Sequence, residues 1–346
     1  MRMRLISGLA VLTIVPLAAA CSTGPANGGS SSAAGGGGST AADSSAFPVT
    51  IKTAFGPVTV KQKPTRVAVL GWGDPDIVAA LGVAPIGAPK ITWGGNGNDS
   101  TDWFDAQLKK IGGKQPTRYS DAAGTPINAV AQLAPDLIVA TNSGITKTEY
   151  KKLSDIAPVV AYPGAPYGTS WQKSTTMIGK ALGRSTQATK LIKTTEQKVD
   201  KATAKYPQIK GKTAAWLWFT PTDLSQVGVY TTIDNRERML HEFGFKTPAF
   251  LTTLSKKSAN SFSATVSAEK AGTLDSDIAV FITDKKSQIN QVKKSPLTGK
   301  IPAIKRGTFV ATTNQQEMAP MSSPTPLSIP YALTHLLPKL AAAAAK

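Results

Sequence analysis

Residues 133–145 read LAPDLIVATNSGI. The apolar run Leu137–Ala140 stops abruptly at Thr141-Asn142-Ser143-Gly144. A run of this kind shows neither face to water, which predicts a strand buried on both sides, as in a parallel sheet. In open α/β sheets, ligands bind in the crevice beyond the carboxyl ends of the strands. The polar stretch 141–144 is therefore either the wall of a binding cleft or the plain start of the next connection.

The flanking sequence extends this pattern. Two short alternating segments, 49–54 and 58–61, meet through Phe55-Gly56-Pro57 and predict a hairpin. Residues 67–70 predict a buried strand ending at Gly71-Trp72-Gly73-Asp74-Pro75, with Asp74 as helix N-cap and Pro75 at the first helical position. Segments 83–87 and 159–162 read as strands, and 127–133 and 146–156 as helices. This alternation implies a parallel sheet with right-handed crossovers. A strand at 212–219, a helix at 233–243 and a strand at 278–283 repeat the plan. Leu133-Ala-Pro-Asp-Leu-Ile-Val even has a faint echo in Leu274-Asp-Ser-Asp-Ile-Ala-Val. Between the halves, 171–182 predicts one helix and 185–206 a longer one, capped by Ser185 and stopped by Pro207. Ala188, Leu191, Ile192, Val199 and Ala202 give the longer helix an apolar side. Twenty-two residues span about 33 Å, long enough to run along a two-lobed molecule. The expectation is an α/β protein: two α/β lobes with mainly parallel sheets, 47–184 and 207–346, joined by the single long helix 185–206.

The first 46 residues belong to neither lobe. Arg2 and Arg4 precede sixteen nearly apolar residues, 5–20, that end in Ala18-Ala19-Ala20 directly before Cys21, the pattern of an export signal over residues 1–20. The apolar run is short for a membrane span, which takes roughly 20 residues. Cys21 is the only cysteine of the 346 residues, so no internal disulfide forms. Its position resembles a bacterial lipobox, in which the cysteine is lipidated, with Ala18 where Leu is usual. Ordinary cleavage after Ala20 is the alternative. Residues 22–46, almost wholly Ser, Gly, Ala and Thr, read as a flexible tether of roughly 25–30 Å.

The formal net charge is +18, and loss of the signal with its two arginines leaves +16. The basic residues are dispersed, as at Lys193, Lys198, Lys201 and Lys205, without a dense block or interleaved aromatics. An exported chain meets no nucleic acid, so attraction to anionic lipid or wall polymer is the better reading. Catalytic signatures are missing from the sequence. There is no G-x-S-x-G elbow. The Gly71-x-Gly73 pair is followed by Asp76 where a dinucleotide fingerprint needs glycine. His241 and His335, the only histidines, are too few for a zinc or manganese receptor site. The chain reads as a non-enzyme with no cofactor of its own.

Taken in order, several segments resemble the substrate-binding lipoproteins of iron-siderophore ABC transporters. They are TIKTAFGPVTVKQKPTRVAVLG, DPDIVAALGVAPIG, INAVAQLAPDLIVATNSGITKTEYKKLSDIAPVV, IGKALGRSTQA and SSPTPLSIPYAL, and the likeness runs from Val49 to the C-terminus. That resemblance implies two α/β lobes joined by one long helix. It also implies binding of a chelated ferric ion in the cleft between them and delivery to a membrane permease. A chelated iron needs no ligand from the protein, but its cleft needs aromatic faces and a few polar anchors. Trp72 and Trp93, on glycine-flanked loops, are the favoured aromatics, with Asn142 and Ser143 from the opening stretch. Tyr230, Arg236 and Arg238 form an arginine–aromatic set suited to an anionic chelate or to haem carboxylates.

Docking in this family resembles two acidic knobs, one per lobe, facing arginines of the permease. The first-lobe position is Asn128, which leaves Asp121 as a substitute, and the second-lobe position is Glu237, expected to be an exposed helix residue. The chain is thus expected to be a monomer, lipid-anchored to the outer face of the bacterial membrane. Haem or cobalamin as cargo is one alternative. A basic structural or adhesive wall lipoprotein is another.

Overall fold

The computed structural model describes residues 44–258 and 261–346. The expected export signal 1–20, the expected lipidation site Cys21 and the expected tether up to residue 43 lie outside the described residues. The last part of the tether, Ser44–Ala46, is a turn of 3-10 helix.

Twelve strands are present among the described residues. In the first half they are β1 (Val49–Thr53), β2 (Gly56–Val60), β3 (Val67–Val69), β4 (Gly87–Pro89), β5 (Thr117–Tyr119), β6 (Leu137–Ala140) and β7 (Val159–Ala161). The second half has β8 (Ala214–Thr220), β9 (Asp223–Tyr230), β10 (Ser263–Ser267), β11 (Ile278–Ile282) and β12 (Phe309–Thr312). β1 and β2 form the antiparallel hairpin. The first large sheet has the order β5-β4-β3-β6-β7, parallel throughout. The second has the order β10-β9-β8-β11-β12. Only β8, β11 and β12 are parallel there; β9 runs against both of its neighbours. β5, β9, β10 and β12 are not among the strands expected from the sequence. The expected strand 83–87 is displaced to Gly87–Pro89.

β6 is buried at all four residues, which accounts for its unbroken apolar run. The echo between the halves has a physical basis. Before β6, the Asp136 carboxylate accepts from the Thr65 N–H and hydroxyl, both at 2.7 Å, and so pins the start of the neighbouring β3. Before β11, Asp277 does the same for the Thr213 N–H (2.7 Å) and hydroxyl (2.8 Å) at the start of β8. In each lobe an aspartate directly ahead of a strand thus ties down the start of its parallel neighbour.

All strands of the first sheet precede the helix Ser185–Thr203, and all strands of the second follow it. It is 19 residues, about 28 Å. Ser185 lies inside it, not at its cap; Arg184 holds the N-cap position and donates to the Leu81 carbonyl at 2.5 Å. Ala188 and Leu191 pack into the first-lobe core, whereas Ile192, Val199 and Ala202 pack into the second-lobe core. One amphipathic face therefore belongs to two cores in succession. The preceding helix, Trp171–Ala181, reaches across as well. Its Met177, Ile178 and Ala181 lie in the first core, while Trp171 is buried in the second and donates to Glu242. No helix among the described residues is long and apolar enough to cross a membrane.

Candidate functional site

The turn after β3 and the end of β6 form one buried unit. Asp74 does not cap its helix; Gly73 holds that position and makes no side-chain cap. The Asp74 carboxylate instead turns toward β6. It accepts from the Thr141 N–H (2.6 Å), the Thr141 hydroxyl (2.6 Å) and the Asn142 N–H (3.3 Å). Complete burial pushes its pKa up to about 6 against those three bonds. Gly71 is small because a Cβ there would lie 2.3 Å from Asp74 Oδ2. This brace fixes Trp72 and Asn142 side by side at the carboxyl ends of β3 and β6.

Between the lobes lies a cavity of about 340 Å³. From the first lobe it is lined by Trp72, Asn142 and Tyr167, and from the second by Tyr230, Asp234, Arg236, Phe262, Ser322 and Ser323. Trp72 (41% exposed), Tyr167 (45%) and Phe262 (38%) are the exposed large hydrophobic residues among the described ones, and all three line this cavity. Exposed aromatics gathered in one concavity mark a binding surface. Tyr167 and Phe262 meet edge to face across the lobes, with ring centroids 5.8 Å apart. Tyr167 sits at φ 56°, and its ring rests on Gly144, where a Cβ would fall 2.5 Å from the ring. Asn142 is 8% exposed and its Oδ1 has no hydrogen-bond partner. The Arg236 guanidinium stacks on Tyr230 at 4.0 Å and pairs with Asp234 at 2.9 Å. Asp234 is also the N-cap of the helix Asn235–Glu242.

A second cavity, about 270 Å³, adjoins the first and shares Trp72 and Tyr167 with it. Asp121, Ser143 and Glu149 line it. The Ser143 hydroxyl is already used, donating to the Ala140 carbonyl at 2.9 Å. Asp121 accepts from Trp72 Nε1 at 2.9 Å, so it holds a cleft tryptophan in place.

Three expected site residues lie elsewhere. Trp93 is half-buried, packs against the second-lobe core and lines a small cavity of about 40 Å³ behind Trp72. Its glycine-flanked loop reaches the other lobe, because Gly94 donates to Gln315 at 3.2 Å and leaves no room for a Cβ beside Ala319. Arg238 donates to the Gly168 carbonyl at 2.7 Å and lines a separate cavity with His241 and Glu242. Glu237 is 6% exposed, not an exposed knob. Its Oε1 accepts from the Trp216 N–H at 2.6 Å, and burial raises its pKa well above the usual range. Glu237 lies one turn before the buried Leu240 on the same face of the helix and is buried with it.

The lobes also meet behind the cleft. Asp76 Oδ2 accepts from Trp103 Nε1 at 2.7 Å and from the second-lobe Thr325 hydroxyl at 2.9 Å. Its burial pushes its pKa up to about 7. Tyr167 and Phe262 were missed in the sequence. Tyr167 could have been sought in the loop PGAPYG, whose prolines and glycines suit a surface aromatic; Phe262 carries no such signal. Among the described residues, no group of three histidine, cysteine or carboxylate side chains converges as a metal site.

Two α/β lobes on one long helix, with an aromatic cleft between them, form the architecture of a solute-binding protein. The chain belongs to the periplasmic binding protein family, whose model matches residues 67–316. It is similar to PiaA of Streptococcus pneumoniae, solved in complex with ferrichrome. The identity is 34%, over 86% of this chain and 99% of that one, with a TM-score of 0.80. A periplasmic solute-binding protein of Mycobacterium smegmatis is 28% identical over 86% of this chain and 98% of its own, with a TM-score of 0.69. The Bacillus subtilis protein YfiY, described as a probable siderophore-binding lipoprotein, is 26% identical over 273 residues, 76% of this chain and 80% of that one.

Proposed function

We propose that this protein captures a ferric siderophore in the inter-lobe cleft and delivers it to the permease of an ABC importer. The observation that carries the reading is the cavity of about 340 Å³ walled by Trp72, Tyr167 and Phe262. A ferric chelate presents a bulky, largely apolar shell, which suits aromatic faces, and its few polar atoms suit Asn142 and the Tyr230–Arg236 pair. The similarity to PiaA, solved with ferrichrome, and to YfiY supports the same cargo. Trp72, Asn142, Tyr230 and Arg236 are the ligand-binding residues in this reading, joined by Tyr167 and Phe262. Cys21 is the lipid anchor, by analogy with the lipoprotein relative.

The test is tryptophan fluorescence of the purified protein titrated with ferric hydroxamates, ferric catecholates, ferric citrate, haem and cobalamin. Saturable quenching by a ferric siderophore is expected. Binding of haem or cobalamin alone would overturn the reading. For the anchor, Cys21→Ser is expected to release the protein from the membrane fraction or leave it unprocessed.

A further inference from the structure

The cleft has an unusual charge for this chain. The protein as a whole is strongly basic, with 39 lysines and arginines against 21 acids. Yet the charged residues lining the two adjoining cavities are Asp121, Glu149, Asp234 and the single cation Arg236. Three acids against one base leave two negative charges in excess. The one cation is not free either. Arg236 Nη1 lies 3.0 and 2.9 Å from the two oxygens of Asp234, and its plane is covered by Tyr230. By contrast, neither Asp121 nor Glu149 has an ion-pair partner among the described residues, whose salt bridges all involve other acids. Glu149 is held ionised: burial opposes this, but bonds from Thr146 and Thr125 outweigh it. Two polar atoms of residues lining the larger cavity are left unpaired, Asn142 Oδ1, an acceptor, and Ser322 Oγ, a hydroxyl without charge, so neither offers an anionic chelate a cation.

We propose, on the basis of the siderophore reading above, that the cleft selects ferric chelates without net negative charge. In this assignment the Asp121–Glu149 side cavity receives a cationic arm where the ligand has one. The ligand class is then the neutral or amine-bearing ferric trihydroxamate, not the triscatecholate or the citrate complex. An anionic chelate entering here meets two uncompensated carboxylates and an arginine already neutralised. Like charges facing each other in a partly dry cleft are strongly unfavourable, and opposite charges favourable. The aromatic walls are indifferent to this distinction, so the charges decide it.

The experiment titrates tryptophan fluorescence with five probes: a ferric trihydroxamate without ionisable groups, one with a free primary amine, its N-acetylated derivative, a ferric triscatecholate and ferric citrate. The amine-bearing probe is expected to bind about tenfold tighter than its acetylated form at low salt, with the gap narrowing as salt rises. Asp121→Asn and Glu149→Gln should each narrow the same gap; glutamine keeps the Thr146 capping box and asparagine keeps the acceptor for Trp72. Asp234→Asn, which retains the helix cap, should free Arg236 and raise affinity for the triscatecholate about tenfold. Wild-type affinity for the triscatecholate or citrate equal to that for the neutral trihydroxamate would overturn the inference while leaving the siderophore function intact. Equal binding of the amine and acetylated probes would remove the cationic subsite. Failure of every ferric chelate, with haem or cobalamin bound instead, would sink the siderophore reading itself.

Discussion

Asp76 should make the stability of this protein fall as pH rises through the neutral range. Its carboxylate is 7% exposed and sits between the lobes, accepting from Trp103 and Thr325. Burial moves its pKa from 3.8 to about 7. The folded carboxyl therefore keeps its proton at pH values where the unfolded one has lost it. Between about pH 4 and pH 7 the folded chain binds more protons than the unfolded chain, so stability declines with rising pH across that window. The gap between the two values corresponds to about 4 kcal/mol, absent below the unfolded value and fully expressed above about pH 7. Asp76→Asn removes the titration and keeps a carbonyl for both donors. The assay is urea denaturation of both proteins at intervals from pH 4.5 to pH 8. The variant should match the wild type near the acid end and exceed it by up to about 4 kcal/mol at pH 8. Asp74, pushed up to about 6, titrates in both proteins and cancels from the difference. A wild-type-to-variant difference that stays constant over the whole range would refute the reasoning.

Glu237→Ala should destabilise the fold by about 2 kcal/mol, because it leaves the buried Trp216 N–H unpaired; thermal denaturation measures it, and a change below about 0.5 kcal/mol, as for an exposed residue, would contradict the buried geometry. Gly144→Val should push Tyr167 off its seat, since even a Cβ falls 2.5 Å from its ring; about a tenfold loss of siderophore affinity is expected with little change in melting temperature, and unchanged affinity would remove Tyr167 from the cleft wall. Scattering curves with and without siderophore should nearly superimpose. The lobes are joined by a helix embedded in both cores and by the Asp76–Thr325, Trp171–Glu242 and Arg238–Gly168 contacts. A large fall in radius of gyration on binding would show instead that these contacts yield.

What can be read along the chain is what local patterning enforces. β6 is visible because a strand buried on both faces must be apolar at every residue, and the linking helix because its inward face recurs at helical spacing. The hairpin is visible through its turn residues. Trp72 and Asn142 follow, since both stand just past apolar strands, where a parallel sheet places its crevice. Even the paired aspartates, Asp136 and Asp277, leave a trace as an echo between the halves.

The remainder depends on partners far away in sequence. Asp74 looks like a cap and Glu237 like a surface residue as long as only their own helices are considered. Their carboxylates are claimed by Thr141 and Trp216, which the sheets bring alongside. Trp93 and Arg238 likewise have the right chemistry for a cleft but are taken up by the opposite lobe and a loop carbonyl. Sequence by itself determined the class: two α/β lobes, one long helix and a chain built to hold a ligand without catalysing its change. Only the tertiary structure decided which aromatics face the ligand and that the cleft of a basic protein is acidic, because side-chain exposure and charge pairing are set by neighbours that share no local sequence.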